Sequence, residues 1–168
     1  MKTHLNIGIF WFRFDQRLND NLAFVRLCAE ADKVLPVFVI DPRWFELQKQ
    51  HCRHMGQHRW HFYAQSLQEL DTLLQNKNSQ LVICEGPPEI EIVKLVQRYQ
   101  ARLLGVNRCP GVYEKQQLHT IQQSCPQLEI ISEESSTLFP TGVSNPRPVI
   151  TTRRFDKTIS SSGVLSTQ

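Results

Sequence analysis

The stretch IGIFWFRFDQRLNDN, residues 7–21, decides how this chain is read. Its first six residues are apolar apart from Gly8 and rich in β-branched and aromatic types, which predicts a strand covered on both faces. Its second half changes character. Arg13, Asp15, Arg17, Asn19, Asp20 and Asn21 crowd together, and an apolar-periodic segment starts at Leu22. A buried strand therefore empties into a charged turn, and the turn feeds a helix capped by Asp20 or Asn21. The carboxyl end of such a strand is where open α/β sheets receive their ligands.

Working outward, the same alternation repeats. Leu22, Val25, Leu27, Cys28 and Ala31 recur at helical spacing and predict a first helix over residues 20–31. VLPVFVI (34–40) predicts a second buried strand, with Pro36 near its start or at an edge because proline cannot donate a ladder bond. Asp41, Pro42 and Arg43 end that strand in a turn. A long helix follows Gly56 and runs to about Asn76, its apolar face built from Phe62, Leu67, Leu70, Leu73 and Leu74. QLVICE (80–85) predicts a third strand, stopped by Gly86, Pro87 and Pro88. A helix over 89–100 presents Ile92, Val93, Val96 and Tyr99 inward. Residues 103–106 form a short fourth strand, 112–124 a helix with Val112, Leu118 and Ile121 inward, and 128–131 a fifth strand. Strand and helix alternating five times imply an α/β fold: a doubly wound, five-stranded parallel sheet of order 3-2-1-4-5 with helices on both faces. The expected division is an α/β domain over 1–135 and an irregular tail or interdomain linker over 136–168, where Ser, Thr, Pro and Gly dominate.

Composition narrows the function. With 168 residues, 40% of them hydrophobic, the chain can bury a real core. A net charge of +3 is too small to argue nucleic-acid binding by itself. No apolar run approaches membrane-span length and no secretory leader precedes the first strand, so a cytoplasmic location is expected. Cys28, Cys52, Cys84, Cys109 and Cys125 show no paired spacing and are read as free thiols in a reducing compartment. His51, Cys52, His54, His58 and His61 cluster. His54 and His58 would share a helical face, but no carboxylate accompanies them, so a polar surface is expected rather than a metal site.

The opening turn also carries a resemblance. Trp11-Phe12-Arg13-x-Asp15-x-Arg17-Leu18-x-Asp20-Asn21 resembles the signature that opens the photolyase/cryptochrome family, with Gln16 where that pattern has leucine. The segment from Gly56 through Arg59 and Phe62 to Ser66-Leu67 resembles the family's next helix. Glu134 to Leu138 and Pro148 to Arg154 are similar to cryptochromes of the DASH type. The resemblance spans about residues 5–155, which is only the first domain of the family. It implies that the flavin, the tryptophan electron-transfer chain and the DNA-binding cavity belong to a helical domain beyond this stretch. Repair activity is therefore not expected from this chain alone, FAD is expected only with a separate helical domain partner, and DNA contact only indirectly. Trp11, Trp44 and Trp60 are expected to pack or anchor rather than carry electrons.

The resemblance also implies an antenna chromophore, a methenyltetrahydrofolate or a deazaflavin, held weakly if at all by this domain alone. The family's folate-type Asn-Glu pair falls on Tyr113-Glu114, so the carboxylate is kept and the amide is replaced by a phenol. A carboxylate there can accept a pair of hydrogen bonds from a pterin amidine edge, although an acid in a helix's first turn is also favoured by the dipole alone. A further family contact, a histidine, falls on Arg53 beside His51 and His54. Asp41, at the end of the second strand, is grouped with them, so the candidate set is Glu114, Tyr113, Arg53 and Asp41. Arg13, Asp15, Arg17 and Asp20 are expected to form an ion-pair network that shapes the opening loop. Two readings from other classes remain: a nucleotide-binding module, which lacks a glycine-rich loop after the first strand, and a ligand-free interaction domain whose exposed apolar patch forms a homodimer.

Overall fold

The structure is a computed structural model that describes residues 5–47 and 53–134. The tail, the DASH-like match apart from Glu134, and His51 and Cys52 lie outside the described residues. Five strands form one parallel sheet of order β3-β2-β1-β4-β5, as the alternation predicts. They are β1 (Ile7–Phe12), β2 (Lys33–Ile40), β3 (Val82–Glu85), β4 (Leu103–Asn107) and β5 (Glu129–Glu133). Four helices connect them: α1 (Leu22–Glu30), α2 (Gln57–Gln75), α3 (Pro88–Tyr99) and α4 (Val112–Ser124), with a short 3-10 turn, Pro42–Trp44, after β2.

The central strand explains the two-sided core. Ile9 and Trp11 face one layer with Val37, Val39, Leu104 and Val106, under Ile92, Leu95 and Val96 of α3 and Ile121 of α4. Phe10 and Phe12 face the other with Phe38, under Ala23 and Leu27 of α1 and Leu67, Leu70 and Leu74 of α2. Successive residues point to opposite faces, so a strand buried on both must be apolar at every position. Pro36 pairs with Phe10 of β1, and the ladder from β2 to β3 begins only at Val37. The proline therefore sits where β2 has β1 on one side and no paired β3 residue on the other.

The helix positions agree with expectation better than the helix faces do. Leu22 and Val25 are 59% and 60% exposed, and the buried stripe of α1 is Ala23 and Leu27 with Phe24 beside them. The phase is set at the start of the helix. Asp20 takes a left-handed conformation (φ 52°), and Asn21 is the cap, its side chain accepting from the Phe24 N–H at 3.1 Å. That rotation drops Leu27 into a trough made by two glycines on adjacent strands. A Cβ on Gly8 would lie 2.9 Å from Leu27 Cδ1, and one on Gly105 would lie 2.7 Å from the Phe10 ring and 2.9 Å from Leu27 Cδ2. In α2, Phe62 and Leu73 are 67% and 50% exposed rather than inward. In α3, Leu95 takes the inward place expected of Tyr99, and in α4 Val112 is exposed while Gln117 is buried.

The trough yields a test. Gly105→Ala is expected to lose about 1–3 kcal/mol by overpacking, read as a lower denaturant midpoint at constant slope. Adding Phe10→Leu should recover part of the loss; a Gly105→Ala midpoint equal to the parent's would show that the layer yields instead.

Candidate functional site

The carboxyl ends of the strands carry the polar residues, because side chains there leave the sheet without having to be buried between layers. β1 delivers Arg13 and Phe14. β2 delivers Asp41 and the turn with Arg43 and Trp44. β4 ends at Asn107 and leads to Tyr113 and Glu114 in the first turn of α4. Residues 53–56 and the start of α2 bring His54, Met55 and Arg59 to the same edge. Together Phe14, Arg43, Trp44, Glu46, His54, Met55, Arg59, Tyr113 and Glu114 line a cavity of about 540 Å³. That lies within the range of small-molecule sites, which run from roughly 300 to 1,000 Å³.

One wall is a charged clamp. Asp41 has no exposed surface. Its carboxylate caps the 3-10 turn by accepting from the Arg43 N–H at 3.0 Å and receives the Arg43 guanidinium at 2.7–3.0 Å. The same guanidinium reaches both oxygens of Glu89 on α3 at 2.8 and 3.0 Å. The Tyr113 hydroxyl donates to Asp41 at 2.8 Å, and Arg43 lies over the Tyr113 ring, 5.3 Å from its centroid. Four elements are thereby tied at one point: β2, its following turn, α3 and α4. Burial pushes the Asp41 carboxyl up, but the hydrogen bonds from Arg43 and Tyr113 outweigh it and hold it below the usual range. Tyr113 is shifted the other way: burial and the adjacent Asp41 carboxylate keep its phenol protonated well past ordinary alkaline pH.

Beside the cavity, around Glu114, the polar groups are less saturated. Glu114 folds back over Gly111, where a Cβ would collide with its carboxylate, and Arg13 is its nearby opposite charge. Arg13 donates to the Asn107 carbonyl and lies 5.0 Å over the Trp11 ring. Its Nη1 is buried without a partner, as are Asn107 Oδ1 and Gln16 Nε2. In the opening loop Arg17 pairs with Asp15 at 3.0 Å and lies 3.8 Å from Asp20. Arg13 bridges the end of β1 to β4 through its bond to Asn107.

Of the four candidates from the sequence, the structure brings three together. Glu114 and Tyr113 line the cavity, and Asp41 lies directly behind Tyr113 with its oxygens taken. Arg53 is exposed, and its neighbour His54 lines the cavity. Arg43 and Glu89 were missed because their roles depend on a pairing across 46 residues; the Asp-Pro-Arg turn was the available signal for Arg43. Trp11 is core, Trp44 stands 6.2 Å from Phe38, and Trp60 packs edge-on to Phe45. Cys28, Cys84, Cys109 and Cys125 are free thiols. Among the described residues no group of three His, Cys, Asp or Glu side chains is placed to hold a metal ion, and no helix is long and apolar enough to cross a membrane.

Fold and cavity define a doubly wound α/β domain that opens a ligand-sized cleft at the carboxyl edge of its sheet. Residues 8–160 match the family model described as DNA photolyase, and the chain belongs to that family, as its N-terminal domain. A cryptochrome DASH of Idiomarina loihiensis is 29% identical over 133 residues, covering 79% of this chain and 30% of that protein. Cryptochrome-1 of Gallus gallus is 28% identical over 159 residues, covering 91% and 25%. The chain thus spans between a quarter and a third of these curated relatives. Among solved structures, an archaeal photolyase from Sulfolobus tokodaii superposes with a TM-score of 0.75 at 25% identity, covering 96% of this chain and 36% of that one. It is described as holding two FAD molecules, with the implication of a novel light-harvesting cofactor. A Synechocystis cryptochrome shares the fold, with a TM-score of 0.80 at 23% identity over 99% of this chain and 36% of that one.

Proposed function

We propose that this domain is the light-harvesting part of a photolyase- or cryptochrome-type assembly and holds an antenna chromophore in the cavity between the 3-10 turn, α2 and α4. The observation that carries this reading is the cavity itself, with Phe14, Trp44, Met55 and Tyr113 as apolar or aromatic lining and Glu114 as an acceptor at its edge. That donor and acceptor set fits a flat heterocycle with an N–H-bearing edge, of folate or flavin type. The bound group would supply absorption beyond the aromatic region. The protein's own residues supply orientation: Glu114 receives the ring's N–H edge, Trp44 and Met55 exclude water, and Arg59 stands at the rim as a cation for an anionic tail. Asp41 acts from behind, through Tyr113 and Arg43. Arg53, exposed on the approach to α2, has a place only at the outer rim. FAD, and with it DNA repair or blue-light signalling, would come from a helical domain partner. A cytoplasmic location fits that role.

The test is the absorption spectrum of the purified protein before and after incubation with methenyltetrahydrofolate and with flavin, followed by gel filtration. A band above the aromatic region that travels with the protein is expected. Glu114→Ala should weaken retention by about 2 kcal/mol, roughly thirtyfold, through loss of charge-assisted hydrogen bonds. A spectrum of tryptophan and tyrosine alone under every condition would overturn the reading.

A further inference from the structure

Tyr113 is 42% exposed, in the first turn of a helix, where a tyrosine would ordinarily sample several rotamers. Here it does not have that freedom. Its hydroxyl is held by a carboxylate with no exposed surface, at 2.8 Å. Its ring is covered by a guanidinium at 5.3 Å, and that guanidinium is in turn fixed by bonds to Asp41 and Glu89. A ring lining a cavity is thus locked at its tip and along its body by buried or part-buried charges that make no other use of it. Packing alone does not require this. The neighbouring Val112 is 71% exposed, so this turn of α4 is not drawn inward by apolar burial.

We infer that Tyr113 is a preorganised aromatic wall, set by Asp41 and Arg43, which makes the cavity select planar fused-ring heterocycles by stacking rather than by hydrogen bonds at that position. This rests on the chromophore reading of the cavity. An immobilised ring loses no rotamer entropy when a ligand stacks on it, and a ring already oriented gains the full offset-stacking energy. Asp41 and Arg43 are positioning residues in this arrangement: the Asp41 oxygens are taken by Arg43 and Tyr113, and the Arg43 guanidinium, at the cavity's edge, is held by Asp41 and Glu89. The wall also separates two kinds of selectivity. Glu114 reads the edge of the ligand, whereas Tyr113 reads the face laid against it.

The experiment is a titration of flavin mononucleotide with the whole chain, followed by flavin emission, for the parent, Tyr113→Phe and Tyr113→Leu, with melting temperatures measured alongside. The parent is expected to bind and quench the emission. Tyr113→Leu should bind roughly threefold to tenfold more weakly and quench less. Tyr113→Phe should fall between them, keeping the ring and losing its anchor. Binding and quenching by Tyr113→Leu equal to the parent's would overturn the wall while leaving the chromophore reading intact. Weakening of both variants in proportion to a drop in melting temperature would also overturn it, because Tyr113 would then be structural. No binding of flavin mononucleotide by the parent would overturn the wall, whereas the chromophore reading falls only if methenyltetrahydrofolate is not retained either.

Discussion

Replacing Arg43 by leucine is expected to destabilise the protein by about 2–3 kcal/mol, roughly 5–10 °C in melting temperature for a chain of this size. Removing one partner of a buried pair leaves an uncompensated charge, and Asp41 has no exposed surface from which to recover water. Arg43 supplies most of its hydrogen bonds. The upper end of the usual penalty is discounted because the Arg43 side chain is itself 37% exposed and solvent screens part of the pairing. A second substitution supplies the control. Asp41→Asn in the Arg43→Leu background removes the stranded charge and should recover part of the loss. A melting temperature for Arg43→Leu within a degree of the parent's would mean that Asp41 is not held in this way.

The same pair sets a pH dependence whose sign follows from the depressed Asp41 carboxyl. A carboxyl lowered in the folded state contributes stability that is present above its unfolded value, near 4, and lost as pH falls through its folded value. The gap in stability between the parent and Arg43→Leu should therefore be widest at neutral pH and narrow below about pH 4. Denaturation midpoints at a series of pH values read this directly. A gap that stays constant into acid would assign the effect to lost packing instead of lost charge pairing.

Phe10→Ala carries the larger cost, about 3–5 kcal/mol. Phe10 is fully buried, meets Phe12 edge-on at 4.7 Å and Phe24 at 5.0 Å, and covers the bare backbone of Gly105. Its removal leaves a void with glycine at the paired position on β4, which has no side chain to fill the space. Phe10→Leu should cost clearly less. A denaturant series in which the two variants coincide would show that α1 collapses into the void. These two substitutions lie on different sides of the sheet's chemistry: one tests the layer under α1, the other the charged clamp at the carboxyl edge. They share no partner, so their effects are expected to add.

Much of the fold was legible from residue order alone, and the reason is specific. β1 and β2 are buried on both faces, so nearly every position in 7–12 and 34–40 had to be apolar, and that signal does not depend on which face is which. The limits of α4, Val112–Ser124, and the alternation that leads to order 3-2-1-4-5 are local in the same sense. The helix faces were not. A stripe of Leu22, Val25 and Cys28 satisfies helical spacing as well as Ala23 and Leu27 do. The choice fell to the glycine trough of Gly8 and Gly105, which exists only when β1 and β4 are adjacent.

The site divides along the same line. Glu114 and Tyr113 could be picked out in the sequence because the resemblance places the family's Asn-Glu pair on them, at the start of a helix after a strand. Asp41 could be picked out as a strand-ending acid. Their chemistry was decided by tertiary structure. Arg43 joins Asp41 two residues away to Glu89 on another helix, and Tyr113 reaches back 72 positions to the same carboxylate. The sequence by itself determined the layers, because burial on two faces constrains every residue of a strand. Only the folded chain determined which charges are neutralised and which side chains are locked, because a charge pair between elements depends on where the sheet order and crossovers bring their ends.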